Sequence, residues 1–482
     1  MSTAPLRVIQ VTKVAQGGGA ERIASSLHQG MLRRGQRSWM ATARNDGTDP
    51  LVLTIPPPDP RSAGLASRGL RRVARALGPR ESGNAATHAL QRTLRMAAAP
   101  RRSLDRYRGR ELFDFPGTAA IPDLPPEPPD VVHCHNLHGG YFDLRQLAPM
   151  SHRLPLAMTL HDEWTFTGHC GYGISCERWR TGCGLCPDLT LYPAIPRDGT
   201  RANWRAKRAI YTGSRLYVST PSQWLMDRAQ ASILAGGAAG WRMIPNGVDR
   251  SIFRPGDRTE ARARLGLPVE PFILLFAANK AQRSPYKDWA TVSRAAARAA
   301  AEVPTRTVLC LALGDDGPSL PIENGELRFV PYRTDILEVA AYFQAADVYL
   351  HAARAENLPT TILEALATGL PVVATAVGGI PEEVRNLASA PGAWSGRGYE
   401  RDRATGVLVA PANADDMGAA AAAILRDDDL RATLSANAAA DAAQRFDLDR
   451  QLDTTIDWYR EIIADWRDRH RVAPLAGTAP TG

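Results

Sequence analysis

Short apolar runs and amphipathic stretches alternate along the chain, and they do so twice. Residues 6–11 are apolar-rich and too short for a buried helix, so they read as a strand. They run through Gly17-Gly18-Gly19 into a helical pattern from residue 20 to about 34, closed by Gly35. Further buried strands are predicted at residues 131–133, 156–160 and 216–219. After the turn Pro245-Asn246-Gly247-Val248-Asp249 a second series begins. It places strands at residues 272–276, 307–313, 327–330, 348–351 and 372–374. The helices between them are predicted at residues 287–301, 337–345 and 359–368, the last stopped by Gly369 and Pro371. Alanine- and charge-rich helices follow over residues 414–464. Strand, glycine turn and helix repeated in this way predict an α/β fold with two doubly wound parallel sheets facing a cleft. Ligands of such sheets bind beyond the carboxyl ends of the strands.

The length of 482 residues also calls for two domains. No run approaches 18 apolar residues and no charged leader precedes the first strand, so a cytoplasmic location is expected. The net charge is +8, and the excess is local. Residues 61–110 hold thirteen arginines against Glu81 and Asp105, with Leu65, Leu70, Val73 and Leu77 at roughly helical spacing. That stretch reads either as a membrane-facing surface or as a solvated insertion. Nucleic-acid binding would call for aromatic residues among the arginines, and residues 61–105 contain none.

Four of the six cysteines fall within 17 residues: Cys170, Cys176, Cys183 and Cys186. The closing Cys-x2-Cys is a common half of a structural zinc site, with His169 as a substitute ligand. Disulfides or unligated thiols are the alternatives.

Two segments carry a family resemblance. Glu356-Asn-Leu-Pro-Thr-Thr-Ile-Leu-Glu364, continuing through Gly369 and Pro371 to Gly378-Gly379-Ile-Pro-Glu382-Glu383, resembles the E-x7-E region of family 4 glycosyltransferases. Thr159-Leu-His161-Asp162-Glu163-Trp164, continuing to Cys170, Trp179, Cys183 and Cys186, resembles a branch found with exopolysaccharide and colanic-acid clusters. Gly17-Gly18-Gly19-Ala20-Glu21 and the Pro245–Asp249 turn fall where the family has them.

The resemblance implies the GT-B fold: two Rossmann-like domains, the N-terminal one for acceptor and the C-terminal one for the nucleotide-sugar. The boundaries expected are residues 1–244 (basic insertion at about 55–112), 245–450, a helix over 451–470 packing back on the N-domain, and a disordered tail over 471–482. It implies retaining transfer of a sugar from a nucleotide-diphosphate-sugar to a glycan or lipid-linked glycan in surface polysaccharide biosynthesis. No cofactor is required for the chemistry.

Glu364 would bind the ribose hydroxyls and Glu356 the transferred sugar, with Asn357, Leu358, Pro359, Thr360 and Thr361 around the donor. Lys287 matches the family's phosphate lysine. The family's arginine position falls on Ala281, leaving Lys280 and Arg283 as substitutes. Gly18 and Gly19 would let backbone approach the donor. His161 is the N-domain candidate for the reacting sugar, ahead of His133 and His135, one of which is expected to bond only within the core. No carboxylate nucleophile is evident, Asp162 and Glu163 being the nearest acids. A sugar-nucleotide epimerase or a phosphorylase would share the fold, but neither its acid/base carboxylates nor its cofactor lysine is identified.

Overall fold

The computed structural model describes residues 4–45, 47–58, 65–77 and 85–471. Parts of the basic stretch and most of the C-terminal tail therefore lie outside the described residues. The chain forms two compact units. Unit 1 comprises residues 1–219, 228–242 and 458–482; unit 2 comprises residues 220–227 and 243–457.

In unit 1, β1 (Arg7–Val14) leads into α1 (Gly19–Arg33), followed by β2 (Arg37–Arg44) and β3 (Val52–Thr54). Three helices then occupy the basic stretch: α2 (Leu65–Ala76), α3 (Ala85–Ala97) and α4 (Pro100–Tyr107). The core resumes with β4 (Val131–Cys134), α5 (Leu147–Arg153), β5 (Leu156–Thr159), α6 (Thr200–Thr212), β6 (Leu216–Thr220), α7 (Gln223–Gln230, of which residues 223–227 belong to unit 2) and β7 (Ala238–Met243). The sheet order is β3-β2-β1-β4-β5-β6-β7, parallel through the pairs from β3 to β6. The order reverses between β1 and β4, and the chain leaves both of these strands on the same edge of the sheet. Strands β4 and β6 are buried along their whole length, as expected for a sheet covered on both faces.

Unit 2 repeats the plan. It runs α8 (Arg258–Leu265), β8 (Phe272–Ala277), α9 (Trp289–Glu302), β9 (Val308–Leu313), β10 (Leu320–Ile322), β11 (Gly325–Val330) and α10 (Ile336–Ala345). Then come β12 (Val348–His351), α11 (Thr360–Ala367), β13 (Val372–Thr375), α12 (Ile380–Glu383) and β14 (Gly406–Val409). Helices α13 (Ala414–Arg426) and α14 (Asp428–Arg445) follow, and then α15 (Leu448–Arg471), whose residues from 458 on belong to unit 1. The order is β10-β11-β9-β8-β12-β13-β14, with β10–β11 antiparallel. Strand β8 shows why a continuous apolar run makes such a sheet. Phe272, Leu274 and Phe276 enter one core with α9 and α13, while Ile273, Leu275 and Ala277 enter the other with α10, α11 and α14. Both cores need the same strand, so no polar face survives in it.

Several elements escaped the hydrophobic pattern. Strands β2, β3, β7, β10 and β14 and helix α12 are short or mixed in polarity. The helix expected from Lys287 starts at Trp289, capped by Asp288, whose Oδ2 accepts from Thr291 Oγ1 at 2.7 Å. Among the described residues no helix is long and apolar enough to cross a membrane.

Candidate functional site

In unit 2 the loops leaving β8 and β12 run together. Residues on either side of Lys287 pair with the segment after β12: Arg354 N donates to Tyr286 O (2.8 Å) and Asp288 N to Ala352 O (3.0 Å). That extended pairing, not a helix, places the Lys287 ammonium against Glu356, and the two form an ion pair. Lys280, with φ +51°, and Arg283 flank a single turn whose Ala281 is buried. Both cations are exposed.

The segment after Glu356 is fixed on every side. Asn357 is buried, and Ser222 Oγ donates to its Oδ1 at 2.5 Å. Asn246 Nδ2 donates to Leu358 O at 3.2 Å. Pro359 caps α11 without a side-chain bond, so the first-turn amides of Thr360 and Thr361 belong to an uncapped helix start. Glu364 lies one turn further on and is only 2% exposed. Gly378 and Gly379 pack against the backbone of this loop. A Cβ on Gly378, whose φ is +58°, would lie 1.7 Å from Glu356 O, and one on Gly379 2.2 Å from Asn357 O. The paired glycines are therefore a steric requirement of the Glu356 loop.

Beyond them, two acids have distinct fates that the spacing did not show. The Glu382 carboxylate accepts from the amides of Gln223 (2.7 Å) and Trp224 (2.8 Å). Glu383 is fully buried, and among the described residues neither of its carboxyl oxygens has a hydrogen-bond partner. Burial first, and then the charge of Glu356, hold it well above the usual carboxylate range. It is a neutral acid beside the Lys287–Glu356 pair. Its only signal in the sequence is a second glutamate directly after the one that accepts from those two amides.

In unit 1 the carboxyl ends of β4 and β5 carry three imidazoles, two of them joined by a hydrogen bond. His135 Nε2 lies 2.9 Å from Gln10 Oε1, and its Nδ1 lies 3.1 Å from His161 Nε2. Gln10 Oε1 can only accept, so His135 donates from Nε2 and accepts at Nδ1. His161 then donates from Nε2, and its Nδ1 carries the lone pair. His133 is held between Tyr459 Oη (2.6 Å) and Thr159 Oγ1 (2.7 Å), inside the core. Burial drives all three rings toward the neutral form: His161 down to about 4, His133 to about 3, and His135 well below the ordinary value.

The two acids after His161 are engaged. Asp162 Oδ2 lies 3.1 Å from His138 Nε2, and its Oδ1 accepts from Trp164 N at 2.9 Å. Glu163 is buried, accepts from Gly173 N at 2.6 Å and pairs with Arg228. Gly17, Gly18 and Gly19 form the turn into α1; a Cβ on Gly19 would meet nothing within 4 Å, so packing alone does not require a glycine there.

The cysteines and His169 line one small pocket, yet the zinc shell expected from their spacing is not formed. Among the described residues no three His, Cys, Asp or Glu side chains are grouped to hold a metal ion. All six thiols are free. Cys186 Sγ comes within 3.4 Å of His169 Nε2, and burial raises the Cys170 thiol to about 12 and that of Cys183 to about 11. The segment is held instead by Trp179, buried against Phe166 and flanked by the guanidiniums of Arg180 and Arg228.

Residues 257–441 match the family Glycosyl transferases group 1. The chain is 25% identical to the colanic acid biosynthesis glycosyl transferase WcaC of Escherichia coli K12 over 308 residues, covering 59% of this chain and 69% of WcaC. It is 31% identical to the D-inositol 3-phosphate glycosyltransferase of Mycolicibacterium paratuberculosis over 276 residues. That match covers 55% of this chain and only 56% of the mycobacterial enzyme. Among solved structures, Anabaena Alr3699/HepE in complex with UDP superposes with a TM-score of 0.56 at 17% identity, over 95% of this chain and 100% of that one. The loop built by Lys287, Glu356 and Gly378 lies inside the matched residues; with a doubly wound sheet in each unit, the chain has the GT-B fold and carries a glycosyltransferase domain of the group 1 family.

Proposed function

We propose that the protein transfers a sugar, with retention, from a nucleotide-diphosphate-sugar to a glycan or lipid-linked glycan of a surface polysaccharide. One observation carries the reading: Lys287 and Glu356 are joined at the uncapped start of α11, with Glu364 buried one turn in. A helix start offers amides and partial positive charge to a diphosphate. Lys287 adds a full charge as the leaving group becomes more anionic. Glu364 accepts from the ribose hydroxyls, and Glu356 accepts from the sugar while orienting Lys287.

In unit 1 the neutral His161 ring, beyond the carboxyl end of β5, hydrogen-bonds a sugar or acceptor hydroxyl. A neutral ring suits that task, since an imidazolium has no acceptor. With Asp162 and Glu163 both engaged, the route needing no protein nucleophile is preferred: the acceptor hydroxyl attacks on the side the diphosphate leaves, and a diphosphate oxygen takes its proton. The HepE structures, which hold UDP or UDP-glucose, favour a nucleotide-sugar donor.

Leu65, Val73, Leu90 and Leu104 are exposed among the arginines of α2–α4, which favours work at the inner face of a membrane. The test is calorimetry with UDP and GDP on the wild-type chain and on Glu364→Ala. Loss of one charge-assisted contact should weaken binding by about tenfold or more. Equal affinity would remove Glu364 from the donor site; no binding of either nucleotide to the wild type would remove the reading itself.

A further inference from the structure

Within unit 1, helices α3 and α4 and the loop after β4 line a cavity of about 790 Å³ that is open to solvent. That is the size of a small-molecule site, roughly 300–1,000 Å³. Its lining divides by chemistry. Arg92, Arg95, Arg102, Arg106 and Arg110 line it against one carboxylate, Glu111, and Glu111 Oε1 is already 3.1 Å from Lys207 Nζ. Leu112, Phe113 and Ile195, all partly exposed, supply apolar surface, backed by the buried Leu137, Phe142 and Trp164.

Among the described residues the positive charge is poorly answered. Arg102 comes no nearer to Asp114 than 3.5 Å, and Arg110 no nearer to Asp105 than 3.8 Å. Among the described residues Arg92, Arg95 and Arg106 make no ion pair. Lys13 adds a further cation at the Gly139 edge, where a Cβ would lie 2.8 Å from its Nζ. Guanidiniums gathered in this way repel one another until an anion joins them. A second feature lies in the same lining: His138 is only 9% exposed, and among the described residues its Nδ1 has no hydrogen-bond partner while Nε2 faces Asp162.

We propose that this cavity binds an amphipathic anion, with a phosphate or diphosphate head among the arginines and an apolar chain on Leu112, Phe113 and Ile195. The guanidinium fork matches phosphate oxygens in pairs, which a lysine cannot do. Naming this molecule as the acceptor, a phosphate-linked lipid or glycolipid, rests on the function proposed above; its binding does not.

The experiment titrates the full chain with decyl phosphate below its micellar concentration, with inorganic diphosphate, and with phosphatidylglycerol vesicles. Decyl phosphate should bind saturably, one per chain, and more weakly as salt rises. Arg95 and Arg106 are exposed, so Arg95→Glu/Arg106→Glu should fold normally and weaken that binding by about tenfold or more. Arg264→Glu/Arg294→Glu, an equal charge change in unit 2, should leave it unchanged. Phe113→Ser should weaken decyl phosphate more than diphosphate. Undiminished binding by Arg95→Glu/Arg106→Glu, or no binding to the wild type, overturns the cavity. Binding to vesicles without binding to monomeric decyl phosphate overturns it in favour of a surface patch. Titrating UDP and GDP on the same samples separates the two readings. Nucleotide binding without decyl phosphate binding overturns only the cavity, and the converse overturns only the sugar-transfer function.

Discussion

At the scale of single residues, burial decides which carboxylates carry charge near the Glu356 loop. Glu382 and Glu383 are neighbours of identical chemistry, yet one accepts from two backbone amides and the other meets no donor among the described residues. A buried acid without partners is less costly protonated than ionised, so Glu383 holds its proton above the pH at which the unfolded chain loses it. The native state then binds the extra proton, and stability falls as pH rises past the ordinary glutamate value. Glu383→Gln, with the same shape and no charge to lose, should therefore stabilise the protein at pH 8.5 by about 1–3 kcal/mol. At pH 4 it should change little. Urea denaturation at the two pH values measures this, and an equal effect at both would mean that Glu383 is ionised.

Elements act here by holding loops rather than by presenting faces. The Glu356 loop lies between the extended segment around Lys287 and the Gly378–Gly379 turn, whose missing Cβ atoms admit its carbonyls. Arg445 of α14 donates to Glu382 O and Glu383 O, both at 2.7 Å, and so ties down the far side of that turn. Gly378→Ala should cost about 2–4 kcal/mol, combining left-handed backbone strain with a backbone clash. Nucleotide binding should be lost at temperatures where the variant is still folded. Thermal unfolding and calorimetry on the same sample check this, and a variant that unfolds earlier but binds nucleotide normally would uncouple the turn from the loop.

Over the whole molecule, buried imidazoles set the acid limit of stability. His28, His133 and His161 are held neutral down to about 4, 3 and 4 respectively, mainly by desolvation. The unfolded chain binds protons at an ordinary histidine value near 6.5, so between that pH and about 4 it holds more protons than the native state. Stability is full above this window and falls on acidification, by about 1.4 kcal/mol per pH unit for each such histidine. The thermal midpoint should drop steadily from pH 7 to pH 5, with a shallower slope in His28→Gln. A flat profile would mean that these rings take up protons in the folded state.

Alternating apolar runs and amphipathic stretches were enough to reveal two parallel sheets, because a strand buried on both faces, such as β8, has to be apolar throughout. The two acids of the Glu356–Glu364 segment and the glycine pair were legible for a similar reason: a helix start beside a tight turn tolerates few residues. Lys287 was found by its place in a motif, but its element was misjudged, since the pairing that extends it comes from residues more than sixty positions later. Edge strands such as β3 and β10 left little trace, being three residues long and half exposed. The cysteine spacing promised a ligand shell that the fold does not assemble, because spacing fixes the order of the thiols and not their directions. The His135–His161 hydrogen bond, the neutral Glu383 and the arginine-lined cavity each depend on groups far apart in the chain. Burial and proximity set their proton states and their charge, and those are properties of the folded chain alone.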